Sequence, residues 1–255
     1  MPGVLENKVA IITGAGRGIG RAFALRYAEE GAKLLLPDIS LERAESVAEE
    51  IKAKGGQAVA IRTDISDEKA TQDMAEKAAQ QYGKVDVLVN NAAIWYGVDT
   101  RPWDDWKVED WDRILRVNLT GTWLCSKAVA PLMVKQSKGK IINIASVVAK
   151  SPAAQFFLPY SCSKGAVYTL TMSMARALGP SGINVNAIAP GLTATEASLH
   201  LTDSEKIFEF AQSERAIPRR QEPADLVGTA VFLASDASDF ITGQVIFVDG
   251  GTAIP

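Results

Sequence analysis

Two residues four positions apart, Tyr160 and Lys164, carry side chains that could move a proton together. On a helix they share one face and can reach the same ligand. A free tyrosine loses its proton near pH ~10, and a neighbouring ammonium favours the phenolate, so the sequence predicts that Lys164 lowers the pKa of Tyr160. Ser146 follows an apolar run, where an active-site crevice would open in an α/β sheet. A solvated helix pair with no catalytic role is the alternative interpretation of Tyr160 and Lys164.

A cluster of glycines near the start of the chain predicts a phosphate-binding turn. Gly14, Gly18 and Gly20 lie between an apolar run and a helical pattern. Glycine permits close approach of the backbone to a ligand, and N–H groups at a helix N-terminus can bind a pyrophosphate. Asp38 ends the next apolar run, where a carboxylate can bind both hydroxyls of an adenosine ribose. These residues favour a dinucleotide site. The alternatives are a turn without a ligand and an N-cap role for Asp38.

The elements that must position these residues are predicted by short apolar runs. Several runs show no alternation of apolar and polar residues, which is typical of strands buried on both faces of a parallel sheet. The seven runs cover residues 9–13, 33–37, 58–62, 85–89, 140–145, 183–189 and 244–248.

Helical patterns lie between these runs, with apolar residues at three- and four-residue spacing. The first three cover residues 22–30, 41–54 and 68–82, and each precedes a glycine placed as a left-handed C-terminal cap, at Gly31, Gly55 and Gly83. A longer pattern covers 153–178. The alternation of strands and helices predicts an α/β, doubly wound Rossmann fold, with helices on both faces of a seven-stranded parallel sheet. Residues 1–255 are expected to form a single domain.

The composition excludes several classes of protein. The chain of 255 residues is 47% hydrophobic and 22% charged, which suits a large globular core. Its net charge of -3 argues against a general nucleic-acid or anionic-membrane binder. No apolar stretch approaches the ~20 residues of a membrane span, and the N-terminus lacks the pattern of a secretory signal. A cytoplasmic location is therefore expected.

The chain has too few cysteine and histidine residues to favour a metal site or a disulfide framework. Cys125 and Cys162 are too few for a disulfide framework or a Cys-rich zinc site, and both are expected to be buried as small hydrophobic residues. His200, the only histidine, is expected in a surface loop. No metal site is predicted.

A series of short motifs extends along nearly the whole chain in one order. They are T-G-x-x-x-G-x-G at 13–20, D-I at 64–65, N-N-A at 90–92, Asn118, Ser146, Y-x-x-x-K at 160–164, P-G at 190–191 and V-D-G-G at 248–251. In these motifs the chain resembles the short-chain dehydrogenase/reductase superfamily. It departs from the family at Ala93, where glycine is usual, and the added methyl could shift the backbone near the cofactor.

The resemblance implies a strand order of 3-2-1-4-5-6-7, a homotetramer and a catalytic set. Tyr160 would exchange a proton with the substrate oxygen, and Ser146 would hydrogen-bond that oxygen. Lys164 would tune Tyr160 and hold the nicotinamide ribose, while Asn118 would position a water. A structural asparagine at a helix kink is the alternative for Asn118.

The same resemblance implies a set of residues that hold the dinucleotide. They are Gly14, Arg17, Gly18, Ile19, Gly20, Asp38, Asp64, Ile65, Asn91, Tyr160, Lys164, Pro190, Gly191 and Thr195. Asp38 would repel the 2′-phosphate of NADP, whereas Arg17 could pair with it. Because Asp38 would lie at the ribose itself, NAD is predicted over NADP.

Two apolar regions are predicted to line a substrate site. One contains Ile94, Trp95 and Tyr96, followed by Trp103, Trp106 and Trp111. These three tryptophans are expected to line the pocket, with a place in the core or at a subunit interface as the alternative. The other, residues 192–215, is expected to form a lid (the lid segment below). Phe156, Phe157 and Leu158 could also contact the substrate.

The expected function is hydride transfer between NAD and a secondary alcohol or ketone that is small and hydrophobic or aromatic. A 3-oxoacyl-acyl-carrier-protein reductase, for which NADPH is usual, and a sugar or polyol dehydrogenase are alternatives. So are an isomerase, dehydratase or epimerase that uses bound NAD, and a non-catalytic dinucleotide sensor.

Overall fold

A parallel sheet organises the chain. The computed structural model describes residues 3–95, 101–201 and 203–253, apart from the side chains of 152 and 153. Within these residues the strands are β1 Val9–Ile12, β2 Lys33–Asp38, β3 Gln57–Arg62, β4 Val87–Asn90, β5 Gly139–Ile144, β6 Ile183–Pro190 and β7 Val245–Val248. All neighbouring strands pair in parallel, in the order β3-β2-β1-β4-β5-β6-β7. The predicted strand order is confirmed, and each strand begins and ends within two residues of its predicted run.

Helices cover both faces of the sheet. In the described part of the chain they are α1 Gly18–Glu29, α2 Leu41–Ala53, α3 Glu68–Tyr82, α4 Val108–Leu115, α5 Thr122–Gln136, α6 Leu158–Leu178, α7 Glu196–Leu199, α8 Ser204–Ser213 and α9 Ala224–Ala234. One core cluster joins α1, α2 and α9 to the sheet through residues such as Phe23, Ile51 and Leu226. A second joins α3, α5 and α6 through Met74, Val129 and Ala175. The fold is therefore doubly wound, as predicted.

Two helices begin elsewhere than their patterns predict. Helix α1 begins at Gly18 rather than at residue 22, because the glycine turn itself forms its first turn. Helix α6 begins at Leu158 rather than at residue 153, and a separate 3₁₀ helix precedes it. Pro159 fits the first turn of α6, where no backbone donor is required.

A cluster of charges ties the amino ends of the central strands to the segment after α9 (the amino-edge cluster). Lys8 lies 2.7 Å and Lys138 2.9 Å from the same carboxylate oxygen of Asp236. The buried Lys140 lies 2.7 Å from Asp239. Hydrogen bonds from Lys8 and Lys138 lower the pKa of Asp236 to about 2. The cluster lies at the edge of the sheet opposite to the one where Ser146 and the glycine turn are found.

Two exposed glycines should respond to alanine with opposite signs. A Cβ at Gly228, inside α9, or at Gly55, after α2, meets no atom within 4 Å, but Gly55 has a φ of 85°. Gly228→Ala should raise the free energy of unfolding by about 0.5–1 kcal/mol, since alanine is the better helix former. Gly55→Ala should lower it by roughly 1–2 kcal/mol, because a Cβ is strained in the left-handed region. Urea denaturation measures both, and changes of the same sign would contradict this account.

Candidate active site

The glycine turn after β1 is built so that only glycine fits. Gly14 and Gly18 have φ values of 66° and 54°, in the left-handed region. A Cβ at Gly20 would lie 2.2 Å from the carbonyl oxygen of Gly14 and 2.5 Å from Nδ2 of Asn91. The turn therefore packs tightly against the loop after β4.

Thr13 and Asn91 join the turn to that loop. Asn91 Nδ2 donates to the carbonyl oxygens of Thr13 and Gly14 at 3.0 and 3.1 Å. The Thr13 hydroxyl accepts the N–H groups of Asn91 and Ala92, both at 3.0 Å. Thr13 was not among the predicted site residues, although its position directly before the glycine cluster could have indicated this role. These bonds hold the carboxyl ends of β1 and β4 together, the point at which the strand order reverses and ligands bind in open α/β sheets.

Asp38 presents a buried carboxylate at the end of β2. It is 6% exposed. It accepts the N–H groups of Gly16 at 3.0 Å and Ser40 at 2.9 Å, and the Arg43 guanidinium lies 3.4 Å away. Ser40, and not Asp38, caps α2. The alternative that Asp38 only caps this helix is therefore wrong.

A cavity of about 850 Å³ runs along the carboxyl ends of the strands. Its volume falls in the range of ligand sites, roughly 300–1,000 Å³. Most of the predicted site residues line it, namely Gly14, Arg17, Gly18, Ile19, Asp38, Asp64, Ile65, Asn91, Ser146, Tyr160, Lys164, Pro190, Gly191 and Thr195. Gly20 and Asn118 do not, and both are buried behind the wall. One cavity thus collects residues that are far apart in sequence.

Ser146, Tyr160 and Lys164 lie together at one wall of this cavity. Ser146 follows β5, and its hydroxyl accepts the N–H of Val148 at 3.2 Å. Lys164 Nζ donates to the carbonyl oxygen of Ile144 at 2.7 Å and lies 5.7 Å from the centre of the Tyr160 ring. Tyr160 and Lys164 are both buried. The interpretation of this pair as a solvated surface pair is therefore wrong.

Burial shifts the pKa values of the two α6 residues in opposite directions. It raises the pKa of the Tyr160 phenol, and this outweighs the lowering by the hydrogen bond with Ser146. Burial also lowers the pKa of Lys164 to about 8. The pKa of Tyr160 is therefore raised overall because burial has the largest effect, while the lowering of this pKa by Lys164 stays a prediction. The ammonium donates to Ile144, and removal of the phenol from water has the larger effect.

Asn118 acts as a clamp within a wide helical turn. It lies in a π-helical segment, Arg116–Gly121, between α4 and α5. Its Oδ1 accepts the N–H of Ile94 at 2.7 Å, and its Nδ2 donates to Ile94 O at 3.2 Å and to Ser163 Oγ at 3.1 Å. Ser163 in turn donates to the carbonyl oxygen of Tyr160 at 2.7 Å. These contacts fit the structural alternative for Asn118, while its role in positioning a water stays a prediction.

Comparison with known proteins places the chain in a family. It is 39% identical to the 3-oxoacyl-[acyl-carrier-protein] reductase of Thermotoga maritima, over 98% of this chain and 99% of that protein. It is 37% identical to the (2S)-[(R)-hydroxy(phenyl)methyl]succinyl-CoA dehydrogenase subunit BbsD of Thauera aromatica, over 98% of each chain. A short-chain type dehydrogenase/reductase from Mycobacterium marinum superposes with a TM-score of 0.91, at 35% identity over 98% of this chain and 97% of that one.

A family model described as "Enoyl-(Acyl carrier protein) reductase" matches residues 14–253. The chain is a short-chain dehydrogenase/reductase. It therefore belongs to a family of oxidoreductases that bind a nicotinamide dinucleotide. Among the described residues of this dehydrogenase, no helix is both long enough and apolar enough to cross a membrane.

The aromatic residues after β4 do not all face the cavity. Trp95 lines it, with its ring centre 4.6 Å from that of Tyr160. Trp103 is 73% exposed, and Trp106 packs against the cluster formed by Ile114, Val148 and Tyr160. These two and Trp111 are absent from the cavity wall, so the interpretation of them as pocket residues is wrong. Tyr96 lies outside the described residues.

The lid segment contributes a second apolar wall. Leu201, Ile207 and Phe210 line the cavity, whereas Phe208 is fully buried in the protein. A buried arginine, Arg215, ends the segment and donates to the carbonyl oxygens of Leu192 and Arg219, both at distances below 2.9 Å. Arg215 was not among the predicted site residues, because a single basic residue at the end of a helical segment forms no recognisable sequence pattern.

The structure also shows a contact of Tyr168 that was not predicted and an exposure of Cys162 that differs from the prediction. The Tyr168 hydroxyl donates to the carbonyl oxygen of Ser146 at 2.6 Å and so holds the backbone of the serine. Its position eight residues after Tyr160, on the same face of α6, was the available signal. Cys162 is exposed and not buried, because two residues beyond Tyr160 the helix faces away from the core. Cys125 is buried and His200 is exposed, as predicted.

Proposed function

We propose that this dehydrogenase transfers a hydride between NAD and a secondary alcohol or ketone that is small and hydrophobic or aromatic. The observation that carries the proposal is the convergence of Ser146, Tyr160 and Lys164 on one wall of the cavity. Beside them the wall is apolar, with Trp95 and Phe157 in contact at 4.9 Å between ring centres. A polar reacting centre next to apolar walls suits a carbonyl or carbinol that carries a hydrophobic group.

The carboxyl edge of the sheet fits a nicotinamide dinucleotide, which supplies or accepts the hydride when bound. The tight glycine turn and the start of α1 line the cavity, where Gly14, Arg17, Gly18 and Ile19 would hold the pyrophosphate and the adenosine ribose. The Asp38 carboxylate would bind the ribose hydroxyls. Further contacts would come from Asp64 and Ile65 at the adenine, Asn91 on the adenosine side, Lys164 at the nicotinamide ribose, and Pro190, Gly191 and Thr195 at the carboxamide.

The proton would move through Tyr160. Because its pKa is raised by burial, the phenol holds its proton at neutral pH and can donate it to the carbonyl oxygen during reduction. The Ser146 hydroxyl would hydrogen-bond the same oxygen. The Lys164 ammonium would stabilise the charge left on the Tyr160 oxygen. After reduction the Tyr160 phenolate would take a proton back from water. In oxidation the phenolate would accept the alcohol proton and then release it to water.

The relatives support an aromatic substrate and also supply the alternatives. The name of the Thauera aromatica relative describes a secondary alcohol next to a phenyl group. The similarity to the 3-oxoacyl-[acyl-carrier-protein] reductase of Thermotoga maritima supports a thioester substrate as an alternative. The 5-keto-D-gluconate 5-reductase of Escherichia coli is 37% identical and supports a sugar substrate as another alternative. The apolar wall of Trp95, Val148 and Phe157 favours the hydrophobic substrate over the sugar. The complete set of Ser146, Tyr160 and Lys164 disfavours a non-catalytic sensor.

Four further features complete the proposal. Residues 1–255 form a single domain in which the lid segment covers the cavity, and the protein assembles as a homotetramer. Exposed apolar side chains on α5, on α6 and before β7 support the assembly, namely Trp123, Val134, Met172 and Phe240. Two free cysteines are in keeping with a cytoplasmic location.

Removing the Tyr160 hydroxyl tests the proposed chemistry. Tyr160→Phe should lower turnover of a ketone by roughly 100-fold to 10,000-fold, the usual contribution of a general acid. Binding of NADH, followed by its fluorescence, should persist. Tyr82→Phe is the matched control, since that hydroxyl donates to the carbonyl oxygen of Leu34. Near-normal turnover by Tyr160→Phe would refute the proposed proton donor.

The pH dependence of ketone reduction should report Lys164. Its pKa of about 8 lies below that of a free lysine, so the ammonium is lost as pH rises through this value. The kcat for reduction should hold steady below pH 7 and fall above pH 8. Lys164→Arg, which keeps its charge throughout, should retain any residual activity to higher pH. A wild-type rate that stays level to pH 10 would contradict this role.

Asp38 should set the preference between the two dinucleotides. Asp38→Asn removes the charge but keeps an acceptor oxygen for only one of the N–H groups of Gly16 and Ser40, because these bind different oxygens of the carboxylate. The ratio of kcat/KM for NAD to that for NADP should fall roughly tenfold or more, because the repulsion of the 2′-phosphate is relieved. Asp64→Asn, at the adenine end, is the control and should leave the ratio unchanged. A wild-type preference for NADP would overturn the assignment.

A further inference from the structure

Trp95 forms the part of the cavity wall that touches the proposed proton donor. Its ring centre lies 4.6 Å from that of Tyr160, with the planes tilted by 49°. It lies 4.9 Å from that of Phe157, at a tilt of 54°. The indole is only partly buried and lines the cavity. It therefore offers aromatic surface to a molecule bound beside the phenol.

The backbone before Trp95 is fixed at both of its polar groups. Asn118, which is buried, accepts the N–H of Ile94 and donates to its carbonyl oxygen. A residue that follows such a clamp is held in place by hydrogen bonds as well as by its ring contacts. The indole is therefore a preorganised surface, which binds a ligand with less loss of conformational entropy.

The surroundings of Trp95 are apolar on both sides of the cavity. Its hydrophobic contact cluster contains Ile94, Trp106, Ile114, Val148, Phe157 and Tyr160. On the lid segment, Phe210 lines the same cavity and is 65% exposed. A flat hydrophobic group is the kind of substituent that both walls can bury.

We infer that Trp95 is a specificity-determining residue, whose indole binds a planar unsaturated ring attached to the reacting carbon of the substrate. This inference rests on the proposed function and narrows its substrate class. Aromatic pairs in tilted or offset contact are stabilised beyond their buried area by the charge distribution of the rings. A saturated ring with the same number of carbons buries similar area but lacks that interaction.

Two ketones separate the ring effect from simple burial. Acetophenone carries a planar ring on the carbonyl carbon, and cyclohexyl methyl ketone carries a saturated ring of the same size. Their kcat/KM values are measured with NADH, and with NADPH if needed, for the wild type and each variant. The ratio of the two values is then compared between proteins, so that the intrinsic reactivities of the ketones cancel.

Three variants assign the effect to Trp95. Trp95→Leu should lower the acetophenone-to-cyclohexyl ratio by roughly twofold to tenfold. Trp95→Phe, which keeps an aromatic face, should retain most of the ratio. Trp103→Leu removes an exposed tryptophan away from the cavity wall and should leave the ratio unchanged.

A binding measurement on the wild type keeps the inference testable if Trp95→Leu does not fold. The product alcohol 1-phenylethanol should inhibit more tightly than 1-cyclohexylethanol by a similar factor, and equal inhibition constants would overturn the inference. If both ketones are reduced but the ratio of their kcat/KM values is the same in all variants, the inference about Trp95 is refuted and the proposed function is not. If neither ketone is reduced with either dinucleotide, the proposed function falls and the inference with it.

Discussion

The hydrogen bond from Lys164 Nζ to the carbonyl oxygen of Ile144 joins the helix that carries Tyr160 to the strand that precedes Ser146. Both partners are buried. A buried ammonium without an acceptor would be strongly unfavourable, so this bond fixes the first half of α6 against the end of β5. The Tyr168 hydroxyl, two turns after Tyr160, adds a second bond to the backbone of Ser146. The relative position of the phenol and the serine hydroxyl is thus a property of how one helix docks on one strand.

The same burial that fixes these groups also sets their proton affinity. Removal from water disfavours the charged form of each, which raises the pKa of Tyr160 and lowers that of Lys164. The pKa of Tyr160 therefore lies above that of a free tyrosine, and the pKa of Lys164 lies below that of a free lysine. The Tyr160 phenol is protonated, and Lys164 has a pKa of about 8, close to neutral pH. Small changes in the surroundings can therefore move a proton at this site. No metal is needed for this effect, since it follows from packing alone.

The sequence was informative wherever a local pattern determines the outcome. Continuous apolar runs predicted all seven strands, and the left-handed glycines at the end of β1 and after the first helices follow from local backbone demands. The predicted start of α1 was wrong because the end of the glycine turn already forms the first turn of the helix. The clamp of Asn118 on Ile94 joins residues 24 apart in sequence, and no local pattern indicates that partner. Exposure of Cys162 depends on the exact phase of α6, and the direction of the Tyr160 shift depends on its burial in the folded chain.

The amino-edge cluster gives the two ends of the sheet different sensitivities to acidity. Asp236 keeps its charge until the medium approaches pH 2, because Lys8 and Lys138 bind it. The stabilisation it provides is present above the ordinary pKa of an aspartate and is lost only on descent through that acid range. Lys164, at the far end of the same strands, responds near pH 8. A mild rise in pH therefore changes the charge of Lys164 at the carboxyl edge of the sheet, while Asp236 at the amino edge stays ionised.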